Sequence, residues 1–364
     1  RLTGGELPTV YTVDLRQELQ EGNRSIFSRK LQELMTDRLN KGQQTILFLN
    51  RRGYAGFVSC RSCGEVMKCP HCDVSLSEHK GGRLICHYCG YTQPMPKLCP
   101  KCGSKYILGF KAGTQQIEEK LKELYPGVRT LRMDADTTRT KDSYEKILSS
   151  FANGEADVLI GTQMIVKGHD FPKVTLVGIL AADLSLNASD YRAGERTFQL
   201  LTQAVGRAGR GVLPGEAVIQ TYQPDHYAIT CAAAQDYESF YQEEILYREL
   251  SGYPPVAHML AVQIYGKEEE NVKQLALRLT DVVKSNMDFL SGKQKEQSNK
   301  KIQVLGPAPA NISKINDIYR YVFYVKHAEY DVLVEVKDRL EETLRQWQPR
   351  QMSIQFDFDP VSVL

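Results

Sequence analysis

Residues able to do chemistry concentrate in two places. Four Cys-x-x-Cys pairs, Cys60/Cys63, Cys69/Cys72, Cys86/Cys89 and Cys99/Cys102, hold eight of the nine cysteines. Two thiolates three positions apart can face one tetrahedral ion at about 2.3 Å, so eight of them imply two four-cysteine zinc sites. Joining the middle pairs leaves thirteen residues between Cys72 and Cys86, a comfortable hairpin loop, and the outer pairs close around it. This nested arrangement, with Cys60, Cys63, Cys99 and Cys102 on one ion and Cys69, Cys72, Cys86 and Cys89 on the other, is favoured over sequential or interleaved pairing. Ribbon-like spacing speaks against an iron–sulfur cluster, and the tight clustering against a disulfide framework. With eight cysteines filling both sites, His71, His79 and His87 are expected to face solvent. Cys231 reads as a small buried apolar residue.

The second place is Gln203-Ala-Val-Gly-Arg-Ala-Gly-Arg210. Read as a helix, it sets the guanidinium groups of Arg207 and Arg210 on one face, with Gln203 one and two turns before them. Gly206 and Gly209 leave that face bare for a ligand or another backbone. Planar, permanently charged forks suit a terminal phosphate. Upstream, Gly161-Thr-Gln-Met-Ile-Val-Lys-Gly-His-Asp-Phe-Pro172 leaves an apolar strand as a glycine-containing loop, offering N–H groups, the Thr162 hydroxyl and Lys167 to phosphates.

The elements that must position these residues alternate. Apolar runs at 10–15, 45–49, 128–133, 157–160, 174–180 and 216–222 read as strands. Between them lie amphipathic helices, one over 26–39, one capped by Thr114 that stops near Pro126-Gly127, and one carrying Tyr144, Ile147, Leu148 and Phe151. Short, almost wholly apolar strands separated by helices predict a parallel sheet covered on both faces, with its sites at the carboxyl ends of strands. Residues 58–111 interrupt the rhythm, being poor in aliphatics, and form an inserted module that zinc must staple. Arg61, Lys68, Arg83, Lys97 and Lys101 give that module points of contact for DNA or a partner protein. A long helix from near Asp236 ends at Gly252-Tyr-Pro-Pro255, and beyond it strands and helices follow as 256–265, 268–290, 302–305, 319–326, 329–346 and 352–358. That β-α-β-β-α-β order is ferredoxin-like. The expected domains are therefore 1–57 with 112–235, the zinc module 58–111, and 236–364. Residues 291–301 lack apolar side chains and read as a loop, while alternation along 319–324 puts some of Tyr319, Tyr321 and Tyr324 in a core and leaves others available to stack on bases.

At 364 residues, 42% hydrophobic and 25% charged, the chain has the composition of an ordinary globular protein. A net charge of +2 gives no support for nucleic-acid binding, which must rest on local features. The apolar run at 174–182 is too short to cross a bilayer. Beginning at Arg1, the chain is expected to be a piece of a longer protein.

The sequence Gly-Thr-Gln followed by Lys167-Gly-His-Asp-Phe-Pro172 and by Gln203–Arg210 resembles motifs V and VI of superfamily 2 helicases, carried by their second RecA-like lobe. Leu47–Tyr54 resembles motif IV, and paired four-cysteine sites inserted after it are similar to those of the primosomal replication-restart helicases, the PriA or primosomal protein N′ family. Asp190–Arg196, Tyr253-Pro-Pro255 and Leu305–Ala310 resemble that family too. The resemblance implies an α/β, RecA-like helicase lobe 2 with an inserted double four-cysteine zinc-binding module and an S10-like α+β C-terminal domain. It further implies an ATP-dependent 3′-to-5′ DNA helicase that recognises stalled forks and restarts replication in a bacterial, nucleoid-associated cytoplasmic setting. Arg210 would be the arginine finger, Arg207 its companion and Gln203 an orienting group, with Asp170 and Gly168 at the nucleotide. Thr162, Gln163, Lys167 and Arg52 would meet the DNA backbone. Implied cofactors are two Zn2+, with ATP and Mg2+ in the full-length enzyme. Implied partners are forked and single-stranded DNA, single-stranded-DNA-binding protein, and primosome and helicase-loader proteins; no membrane is implied. The alternative is a non-catalytic zinc-ribbon scaffold. Neither G-x-x-x-x-G-K-[ST] nor Asp-Glu-x-His occurs, so this polypeptide alone is expected to hydrolyse no ATP.

Overall fold

The computed structural model describes residues 7–49, 58–71, 75–79, 82–86, 89–108, 113–134, 137–138, 140–166, 170–187, 190–211, 213–285 and 302–361. In chain order the elements are β1 (Thr9–Asp14), α1 (Leu15–Gln20), α2 (Arg29–Asn40), β2 (Gln44–Leu49) and five short ribbon strands, β3 (Ser59–Cys60), β4 (Ser77–His79), β5 (Arg83–Ile85), β6 (Thr92–Pro94) and β7 (Ile107–Leu108). Next come α3 (Thr114–Leu124), β8 (Thr130–Met133), α4 (Lys141–Ala152), β9 (Val158–Gly161), a 3-10 turn at Gln163–Val166, β10 (Val174–Leu180), α5 (Asp183–Leu186), α6 (Ala193–Val205), β11 (Glu216–Thr221) and α7 (Tyr227–Ala234). The remainder is α8 (Tyr237–Ser251), β12 (His258–Gly266), α9 (Glu269–Ser285), β13 (Gln303–Ile315), β14 (Ile318–His327), α10 (Tyr330–Trp347) and β15 (Met352–Phe358). They divide into two compact units, one of residues 1–66, 96–188 and 192–241, the other of 67–95, 189–191 and 242–364.

The first unit is built on a parallel sheet ordered β1-β11-β10-β2-β9-β8. All six residues of β2 are buried, because alternate side chains enter different cores. Ile46 and Phe48 join α4, α6 and α7 on one face; Leu47 and Leu49 join α2 and α3 on the other. Ser28 caps α2 by accepting from the Leu31 N–H, and Thr140 caps α4 through the Ser143 N–H. Thr114 is not a cap: Gly113 precedes α3 without a side-chain bond, and the Thr114 hydroxyl donates to Asp134 at 2.6 Å.

In the second unit the sheet runs β13-β14-β12-β15, antiparallel throughout, with α9 and α10 packed on one face. This is the ferredoxin-like order. β13 is much longer than the four residues expected, since Gly306, Pro307 and Pro309 mask a strand that lies at the sheet's edge, where a missing N–H is tolerated. Tyr321 packs under the helices with Phe323 and Val325, while Tyr324, of opposite alternation, is fully buried on the other face. The ribbon strands β4-β5-β6 belong to this unit, and Gly90 lies against the backbone of Pro307. Here too Tyr191 stacks on Tyr253 at 4.7 Å, with Arg248 over the Tyr191 ring and Lys326 over the Tyr253 ring, a four-layer stack that gives Tyr253 its packing role. The expected loop at 291–301 lies outside the described residues.

Candidate metal centres and phosphate site

Three cysteine pairs share one local design. The N–H groups of Gly64, Gly90 and Gly103, each just after the second cysteine of a pair, donate to the carbonyls of Cys60, Cys86 and Cys99 at 2.8–2.9 Å. These glycines have φ of 77°, 78° and 70°, so the pattern is Cys-x-x-Cys-Gly, with glycine required to close the knuckle. That glycine is the signal the cysteine count overlooks. In the first unit Cys60, Cys63, Cys99 and Cys102 bring their sulfurs within 4.8 Å of one another, and in the second Cys69, Cys86 and Cys89 do the same. Sγ–Sγ distances of 3.6 Å for Cys60–Cys102 and Cys63–Cys99, and 3.5 Å for Cys69–Cys89, are far beyond a disulfide bond. They match the roughly 3.7 Å edge of a tetrahedron with 2.3 Å bonds, so the donor set fits zinc. Cys72 lies outside the described residues. Burial raises the Cys60 thiol, but the N–H groups of Cys63 and Ser62 outweigh it and bring it to about 7. Burial and the neighbouring sulfurs push Cys63 and Cys69 up to about 12, so these two thiols hold protons that a cation would displace. His71 is exposed, whereas His79 is only half-exposed, its pKa lowered by burial and by Arg83.

The arginine stretch departs from the helical reading. α6 stops at Val205, Gly206 is its C-cap, and 206–209 is a turn in which Gly209 takes φ 69°. A Cβ on Gly209 would lie 2.4 Å from the Gly215 nitrogen, and the Gly209 N–H bonds the Val174 carbonyl at 3.0 Å. The bare surface is thus filled by the chain's own backbone. Gln203 stays exposed on α6, while Arg207 and Arg210 leave its end, where the carbonyl dipole favours cations. Arg210 Nε donates to the Gly206 carbonyl at 2.8 Å, and its Nη1 pairs with Asp170. Burial, then the Arg210 charge, lower the pKa of Arg207, with Asp170 opposing. Two guanidinium groups crowded this way gain from an added anion.

This cluster stands at the amino end of β10, not at a carboxyl end: Gly209 is bonded to Val174, the first residue of that strand. Thr162 and Gln163 follow Gly161 at the carboxyl end of β9, which pairs with Phe48 near the far end of β2. Arg210 and Asp170 thus come together at one end of the strands, while Thr162 and Gln163 stand at the other. Arg52, Lys167 and Gly168 lie outside the described residues.

Three family models match the chain. The PriA DNA helicase Cys-rich region (CRR) domain covers residues 69–94, the Helicase conserved C-terminal domain 98–212, and the Primosomal protein N C-terminal domain 249–361. Replication restart protein PriA of Bacillus subtilis is 44% identical over 98% of this chain and 43% of its own length. The Synechocystis protein of the same name is 42% identical over 100% of the chain and 42% of its length, and that of Treponema pallidum 35% over 100% and 53%. The chain thus spans about half the length of these relatives. With a parallel helicase-type lobe, a paired-cysteine ribbon and a ferredoxin-like domain each met by the corresponding family model, and with relatives matched along its whole course, the chain belongs to the PriA family.

Proposed function

We propose that this chain is the second motor lobe, zinc module and C-terminal domain of an ATP-dependent 3′-to-5′ DNA helicase that restarts replication at stalled forks. The observation that carries the reading is the convergence of Arg207, Arg210 and Asp170 near the amino end of β10. Arg210, held by Asp170 and the Gly206 carbonyl, is the arginine finger; Arg207 is its companion and Gln203 an orienting side chain on α6. Asp170 and Gly168 serve the nucleotide. Thr162, Gln163, Lys167 and Arg52 meet the DNA backbone. Such an arginine accelerates phosphoryl transfer by roughly 10³–10⁵ by meeting charge that develops on the transferred group. The phosphate loop and the magnesium carboxylates come from a first lobe, since no such motif occurs here. The two cysteine clusters each hold Zn2+, and the family's partners are single-stranded-DNA-binding protein and the primosome and loader proteins.

Joining the chain to a first lobe and substituting Arg210→Ala tests the reading. ATP turnover should fall about 10³-fold with DNA binding retained, and Arg210→Lys should not restore it, because an ammonium lacks the planar fork. Unchanged turnover would favour a non-catalytic scaffold. The 364-residue chain by itself should hydrolyse no ATP, and DNA-stimulated turnover in a clean preparation would refute that.

A further inference from the structure

A cavity of about 490 Å³ opens in the first unit beyond the carboxyl ends of β1, β10 and β11, at the opposite end of β10 from the arginine cluster. Its size falls within the roughly 300–1,000 Å³ of small-molecule pockets. Neighbouring strands part here. After β1 the chain turns to the face of α2, whose Leu31 and Leu34 pack with Leu47; after β11 it turns to the face of α7, whose Ala228 and Ile229 pack with Phe48. Adjacent parallel strands whose connections leave to opposite faces form a switch point, where open α/β sheets bind ligands.

The floor is apolar, made by Leu19, Ile26 and Leu180. Around it stand Arg24, Arg61, Tyr106 and Tyr222. Neither arginine is in an ion pair among the described residues. Among the described residues the one carboxylate on the wall, Glu18, is taken by Asn23 and by the Arg29 N–H, and Gln220 is taken by the Ser28 N–H and the Ile26 carbonyl. Arg61 lies near enough to Tyr222 to act on its phenol. A ligand that fits must bring negative charge to two guanidinium forks and a flat apolar body to the floor and the tyrosine rings.

We propose that this crevice binds one nucleotide unit, its phosphate on Arg24 and Arg61 and its base over the apolar floor between Tyr106 and Tyr222. The unit can come from an unpaired strand, in which case the site rests on the DNA-binding reading above, or from a free nucleotide, in which case it does not. Titrating the full 364-residue, zinc-loaded chain with dTMP and with a short oligothymidylate distinguishes the two sources. Binding of dTMP indicates a free-nucleotide site, and binding of the oligonucleotide alone a strand site. In either case Arg24→Glu with Arg61→Glu should weaken binding about tenfold or more, with zinc content unchanged. A second measurement needs no variant: an oligonucleotide carrying 5-iodo-deoxyuridine, irradiated on the unaltered chain, should attach to Tyr106 or Tyr222. Absence of binding by both ligands, adducts only at other residues, or full affinity in a zinc-loaded double variant would overturn the proposal. None of these outcomes bears on Arg210 and turnover, so the helicase reading stands or falls separately.

Discussion

Asp183 carries a carboxyl group only 3% exposed, held by the Thr221 hydroxyl at 2.8 Å and the Tyr222 N–H at 2.9 Å. Burial pushes its pKa up from the usual 3.8 to about 6 in spite of those donors. Between these values the folded chain keeps a proton that the unfolded chain has lost. The contribution of Asp183 to stability therefore falls as pH rises through this window, and it stays low above about pH 6. Asp183→Asn removes the titration. The stability of the variant relative to the unaltered chain should rise by about 1 kcal/mol from about pH 5 to about pH 7, read from denaturant midpoints at each pH. A constant difference would mean the carboxyl titrates normally. Nothing in the sequence singles out Asp183, because its burial depends on β11, far along the chain. Arg207 and Arg210 stand out in the sequence by residue type and spacing, whereas the pocket around Arg24 and Arg61 does not, being assembled from segments that touch only after folding.

Apolar runs disclose the strands of the first unit because both sheet faces are buried, and β10 lies over the residues expected, Val174–Leu180. Ends are harder to read. The helical reading of 203–210 fails because glycine both permits a helix and ends it, and only the approach of Gly215 decides that Gly209 is left-handed. Two glycines can be ranked accordingly. A Cβ on Gly178 would meet Leu31 and Leu47 methyl groups at 2.8 Å, which are side-chain ends that can shift, and its φ is ordinary. On Gly209 it would meet backbone at 2.4 Å from a positive φ. Gly209→Ala should thus destabilise by about 3 kcal/mol and Gly178→Ala by about 1–2 kcal/mol. Thermal unfolding of the two variants checks the order, and equal losses would show that the turn after α6 relaxes freely.

On the scale of the whole molecule, the cysteine-rich stretch is one run of sequence but serves two folding units. Its outer cluster, Cys60, Cys63, Cys99 and Cys102, belongs to the unit with the parallel sheet, and Cys69, Cys86 and Cys89 belong to the unit with the ferredoxin-like sheet. Composition marks 58–111 as a single insert because few aliphatics occur there; it does not show that each half lends itself to a different core. The pairing of β3 with β7 and of β5 with β4 and β6 keeps the halves distinct as hydrogen-bonded structures. Zinc bound to thiolates contributes on the order of 10–16 kcal/mol per site in zinc-finger peptides, far more than two short ribbons can supply from apolar burial. Losing one ion should therefore open one ribbon and spare the other. Cys99→Ser should lower zinc content from two ions to one and speed amide exchange in β3 and β7, with β4–β6 still protected. Cys89→Ser should do the reverse. Loss of both ions, or faster exchange in both ribbons, from either substitution alone would instead make the cysteine-rich stretch a single cooperative module.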